Sequence, residues 1–260
     1  MKKSILIISA VFTAVSLMAF GFLNTETQNI HEKAANKTET KTVKTRAVTF
    51  FYDVDSRFMS TVTKAKLHSA TSILDLLPKA QTDPVESYES VQVIILDDYH
   101  QTDLRATGTN EVLTAAQLQL LQTVDYSANI LIRADFKEKN KITGLLSHNY
   151  FTPHITIVPE KEANYILGKA ALINYLKVNS KEKIALVEPG NLKGGKLYFT
   201  VTKDGNTANV ELAATSGYPT IDNTMLKLMT TTPGMWLPSE NANGEKVAQK
   251  LVFSFGTIGC

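Results

Sequence analysis

In GGKLYFTVTKDGNTANVELAATSG, residues 194–217, apolar positions alternate with polar ones on both sides of a tight turn. Leu197, Phe199 and Val201 on one arm and Val210 and Leu212 on the other give each arm one buried face. Asp204-Gly205 between them supplies the positive φ angles that a short turn requires, so the stretch predicts a β-hairpin. Further strands are predicted in AVTFFYDVD, ESVQVIILDD, SANILIRADFKEKN, TPHITIVPE and, near the carboxyl end, EKVAQKLVFSF. Helical spacing appears in KAKLHSATSILDLL, in LTAAQLQLLQTVDY with Thr114 as its cap, and in KEANYILGKAALINYLKVNS. A short helix carrying Ile221, Met225, Leu228 and Met229 begins near Asp222.

These elements specify an α+β fold. Order starts near Val48, and a polar break around residues 153–162 separates an upstream α+β region, 48–159, from a carboxy-terminal one, 160–260. Residues 24–47 hold Thr, Lys, Glu and Asn with few large apolar groups and no proline, which predicts a flexible, solvated linker.

Ahead of the linker, Lys2 and Lys3 precede a charge-free run whose apolar part spans residues 5–23. That length is close to the roughly 20 residues needed to cross a bilayer and exceeds the usual core of a cleaved signal. Ala19-Phe20-Gly21 nevertheless offers small residues for cleavage, so residues 1–23 are either a signal peptide or an inner-membrane anchor. Both readings place the rest of the chain in the periplasm, because the positive charges lie on the amino side of the run. No cysteine follows the run, which excludes a lipoprotein signal, and the lone Cys260 excludes a disulfide framework.

A formal net charge of +2 with basic and acidic residues interleaved leaves no stripe for nucleic acid. The chemically suggestive clusters are Asp97-Asp98 with His100, and His148 with His154. Neither has metal-ligand spacing, and nucleophile-elbow, zinc-protease and phosphate-loop motifs are missing, so no metal, cofactor or catalysis is expected.

Several motifs run in order through the last third of the chain. A helix holds Gly168, Ala171, Leu172, Tyr175 and Leu176; a glycine-led strand begins at Gly195; Lys203-Asp204-Gly205 turns; and the return strand ends in Ser216-Gly217. Pro233-Gly234-Met235-Trp236-Leu237-Pro238, Asn243-Gly244 and a strand to Phe255 follow. Over residues 160–255 this resembles the carboxy-terminal domain of the TonB family, a small antiparallel sheet packed with helices. The resemblance implies peptide binding by strand addition at the last strand, with Val247, Gln249, Leu251 and Phe253 as contact residues. It also implies an outer-membrane receptor or another envelope protein as partner. Energy transduction is opposed by three departures: no histidine within residues 5–23, no proline-rich spacer, and Glu188-Pro189-Gly190 where the family has Tyr-Pro. A rival reading follows, an envelope scaffold or ligand-binding protein whose recognition lies in residues 48–159.

Overall fold

The computed structural model describes residues 49–257; the apolar run of residues 5–23, the linker of residues 24–47 and Cys260 lie outside the described residues. From the amino end the elements are β1 (Phe51–Asp55), β2 (Ser60–Thr63), α1 (Lys64–Ser69), α2 (Lys79–Thr82), β3 (Val85–Asp97), β4 (His100–Gly108), α3 (Ala115–Gln122), β5 (Asn129–Lys139), β6 (Leu146–Phe151) and β7 (His154–Val158). They continue with β8 (Asn164–Tyr165), α4 (Lys169–Ile184), β9 (Gly194–Val201), β10 (Thr207–Ala214), α5 (Pro219–Thr230), β11 (Trp236–Leu237), β12 (Ser239–Glu240), β13 (Lys246–Val247) and β14 (Gln249–Gly256). Sheets and helices segregate as in an α+β fold, with two large hydrophobic cores and a small third cluster of Ile94, Leu96 and Leu131.

One core lies under the sheet ordered β2-β7-β5-β3-β4, in which β6 continues the ladder along β5 beyond β7. Only β2 and β7 run parallel. Val91, Val93, Ile130, Ile132, Ile155 and Ile157 face Leu67 of α1 and Leu121 of α3 across this core. Thr114 caps α3 reciprocally with Gln117, as its position predicts. The helix expected over residues 64–77 is broken after Ser69. Ser72 and Asp75 form a capping box that turns the chain into a separate 3₁₀ segment, because their side chains satisfy local N–H groups that a continuous helix would need.

The other sheet is antiparallel throughout, in the order β1-β14-β9-β10. Leu197, Phe199 and Val201 of β9 and Leu251, Phe253 and Phe255 of β14 pack against Leu172 and Leu176 of α4 and Ile221, Met225 and Met229 of α5. The helix expected from residue 161 begins only at Lys169: Gly168, at φ 83°, redirects the chain, and Asn164 and Tyr165 pair with β11 instead. Trp236 packs beneath the sheet, 5.5 Å from the ring of Phe199 and 5.6 Å from Tyr165, with Nε1 donating to Thr207 Oγ1 at 3.1 Å. A boundary at 159/160 leaves β1 on the wrong side, since Phe51–Asp55 belongs to the sheet built from residues beyond 190.

Two glycines separate backbone strain from crowding. Gly205 and Gly244 have similar left-handed φ, 79° and 76°, but a Cβ at Gly205 would run into the carbonyl oxygen of Trp236, whereas one at Gly244 meets nothing within 4 Å. Gly244→Ala should cost about 1–2 kcal/mol. Gly205→Ala should cost at least twice as much, because the Trp236 corner must also shift. Urea unfolding of the two variants checks the difference.

Candidate functional site

Gln249, Leu251 and Phe253, three of the four residues assigned to partner binding, do not line an open edge. Phe51–Asp55 pairs with β14 on one side, Tyr52 opposite Phe255 and Val54 opposite Phe253, while β9 pairs with it on the other. Leu251 and Phe253 are core, and Gln249 is buried, its Oε1 accepting from the Ala163 N–H and its Nε2 donating to Glu162, both at 2.8 Å. Val247 lies outside this strand, in the short β13 opposite Ser239. The expectation fails because the edge is closed by a segment about 200 residues upstream, a long-range pairing that alternation within the last strand cannot reveal.

β1 is held by more than its ladder. The Tyr52 phenol hydrogen-bonds Ser180 Oγ at 2.7 Å, and Lys169 at the start of α4 reaches Asp53 at 2.7 Å and Asp55 at 3.3 Å. Burial pushes the Tyr52 phenol pKa up, opposed by the bond to Ser180.

Where β1 leads into β2, the outer face of β9 and β14 meets the β3–β4 turn. Arg57 Nε donates to Asp98 Oδ1 at 2.8 Å, and the Tyr198 phenol donates to the same oxygen. The Arg57 guanidinium also lies over the rings of Phe58 and Tyr99, 5.0 and 5.1 Å from their centres. Ser127 Oγ accepts from the Lys250 N–H at 2.8 Å, and Lys250 Nζ pairs with Glu211 at 3.1 Å. Asp98 and Ser127, at φ 56° and 63°, are two of the three described non-glycine residues with positive φ, and both line the same cleft of about 270 Å³. Strain of this kind persists only where the surroundings enforce it.

This cleft is equipped as a joint. Burial, and then the bond to Asp98, raise the Tyr198 phenol well above its usual range, so it remains a donor at neutral pH. Asp98 Oδ1 accepts from both Arg57 and Tyr198, so one carboxylate oxygen ties the β1–β2 connection and β9 to the β3–β4 turn. Lys196 beside them is shifted down by burial and by the Arg57 charge. Nothing in the sequence pattern singled out Arg57 or Tyr198, since a tyrosine on the polar face of a strand and an arginine in a short connection have no motif. The other clusters resolve as structure: Asp97 pairs with His100 across the turn, His148 Nδ1 meets Glu89 at 2.8 Å, and His154 Nδ1 meets Thr152 O at 3.1 Å. Among the described residues, no three His, Cys, Asp or Glu side chains converge as a metal site, and no helix is long and apolar enough to cross a membrane.

The remaining strand edges differ in how they are guarded. β10 is bulged, with Asn209 at φ 50° and Glu211 outward; β4 carries Asp103 and Arg105 and a register shift; β1 carries two aspartates. Charges and bulges of this kind blunt edge pairing. β6, LSHNYF, has neither acid, lysine, proline nor bulge, and it pairs only with β5. Leu146 is 55% and Tyr150 60% exposed, and Ile142 at the tip of the β5–β6 hairpin is 95% exposed. Its apolar positions are too few to mark a buried face in the sequence.

No protein-family model matches this chain, and neither does any curated protein or solved structure.

The raised Tyr198 pKa has a sign. The folded state keeps the phenolic proton where the unfolded chain, near pKa 10, has lost it, so this contribution is complete below about pH 10 and declines as pH rises beyond. Tyr198→Phe should lower stability by about 1–2 kcal/mol at pH 7. It should also flatten the loss of urea resistance between pH 9 and 11 relative to the wild type. Equal slopes in both proteins would mean that Tyr198 titrates normally.

Proposed function

We propose that the protein is an exported component of the bacterial cell envelope that acts by protein recognition, with the TonB-like region, residues 160–260, serving as a scaffold and the upstream sheet presenting the recognition surface. The observation that carries this reading is the closure of the β14 edge by β1. Strand addition, which the TonB resemblance would direct to a receptor peptide, is here satisfied within the chain. Export rests on the charge-free run after Lys2 and Lys3.

A receptor peptide would have to displace β1, and three features oppose that. Val54 is buried against Phe253, and burying a valine side chain contributes about 1.5–3 kcal/mol. Tyr52 would lose Ser180, and Lys169 would lose two carboxylates. Only Ser56 to Met59 separates β1 from β2, so the tethered strand competes at an effective concentration on the order of millimolar. The closed edge therefore favours the scaffold over the transducer. The open, unguarded β6 supports a recognition surface within residues 48–159.

A peptide of residues 49–56 tests it. The full-length wild type should not bind the labelled peptide, whereas Val54→Asp, which expels β1 by burying a charge, should bind it at least tenfold more tightly in fluorescence anisotropy. Equal binding to both proteins would show that β1 leaves readily and that the last strand is available to partners, which returns the transducer reading to first place.

A further inference from the structure

From the register and chemistry of β6 we infer that this strand pairs antiparallel with β6 of a second copy of the chain, about a two-fold axis at His148, joining two upstream sheets into one. The inference rests on the reading of the upstream sheet as the recognition surface, and it names the partner.

Main-chain geometry fixes which groups are on offer. Ile132 N donates to Pro153 O at 3.1 Å and Asn140 N to Leu145 O at 2.9 Å, at the two ends of the β5–β6 register. Bonded and non-bonded pairs alternate in an antiparallel ladder. Ala134 with Phe151, Phe136 with Asn149 and Glu138 with Ser147 are therefore the bonded pairs, and the N–H and C=O groups of Leu146, His148 and Tyr150 point away from β5. Of these, the Tyr150 N–H is covered only by the neighbouring Asn149 side chain, at 2.8 Å.

A two-fold axis normal to the sheet keeps the faces of both strands matched, so residues that oppose each other have the same parity. Centring it on His148 sets His148 opposite its own copy and Leu146 opposite Tyr150 on either side. All three outward-bonding residues then find partners, and any other symmetric register strands at least one. The side chains agree with the backbone. Leu146 and Tyr150 lie on one face, both more than half exposed, and become apolar–aromatic cross-strand pairs. Ser147 meets Asn149 on the opposite face. No like-charged residues oppose each other within the strand, whereas Asp103 and Arg105 would complicate the same arrangement at β4. His148 is held on its own sheet by Glu89, which also pairs with Lys137 at 3.4 Å. Isologous pairing of one patch with itself is the commonest route to a dimer.

The register is tested by cysteine cross-linking in the purified full-length chain in mild detergent, in a Cys260→Ser background, because Cys260 is the only native cysteine. Opposed residues of a bonded pair sit about 5.5 Å apart between Cα atoms, within disulfide range. His148→Cys should give a disulfide-linked dimer on mild oxidation. Ser147→Cys, whose own copy lies two residues off register, and Leu104→Cys on β4 should cross-link at least tenfold more slowly. His148→Lys, placing two ammonium groups on the axis, should raise the dimer dissociation constant at least tenfold in sedimentation while leaving the circular dichroism spectrum unchanged.

A monomeric wild type with no His148→Cys cross-link overturns self-pairing. A photo-cross-linker at Tyr150 in intact envelopes then separates the two readings. Capture of a different envelope protein leaves recognition at β6 standing with another partner, and no capture removes both.

Discussion

Main-chain hydrogen bonding between the first and last described strands is the constraint on which the molecule turns. β14 is central to its sheet only because β1 lies beside it, and without β1 the sheet would end in an open row of donors and acceptors over a core of Phe253 and Phe255. The same strand runs on after four residues into β2 at the margin of the other sheet. One covalent segment thus belongs to both layers of β structure, and the orientation of each follows from where that segment is pinned.

Around the pin, polar groups are shared in pairs. Ser56 Oγ and Gln249 Nε2 both donate to Glu162 Oε2 at 2.8 Å, and Arg57 and Tyr198 converge on Asp98. Within each pair the two donors come from different elements, so the shared carboxylate oxygen links those elements. Asp98 and Ser127, both at positive φ, are held by bonds of this kind, to Arg57 and Tyr198 and to the Lys250 N–H.

Local signals in the sequence read well and distant ones did not. The hairpin around Gly205 and the cap at Thr114 depend on neighbours within a few residues, and the structure has them where the pattern places them. Overlong helices were predicted where Ser72 and Gly168 interrupt a period that their apolar neighbours continue. The binding residues were misplaced for a different reason. Alternation along β14 shows which face is buried but not whether a strand lies on either side, and the partner on one side is far away in the chain. β6 was missed because a strand exposed on both faces carries no hydrophobic period at all.

The pairing of β1 with β14 also sets the order of events during biosynthesis. β1 leaves the ribosome about 200 residues before its partner, and contacts of such long sequence separation are slow to form because the intervening chain must first be confined. Throughout elongation the upstream sheet can assemble from its own hairpins, while β1 has nothing to join. The native topology closes only once β14 has been made, so a chain that lacks β14 loses both the scaffold's central strand and the seat of its first.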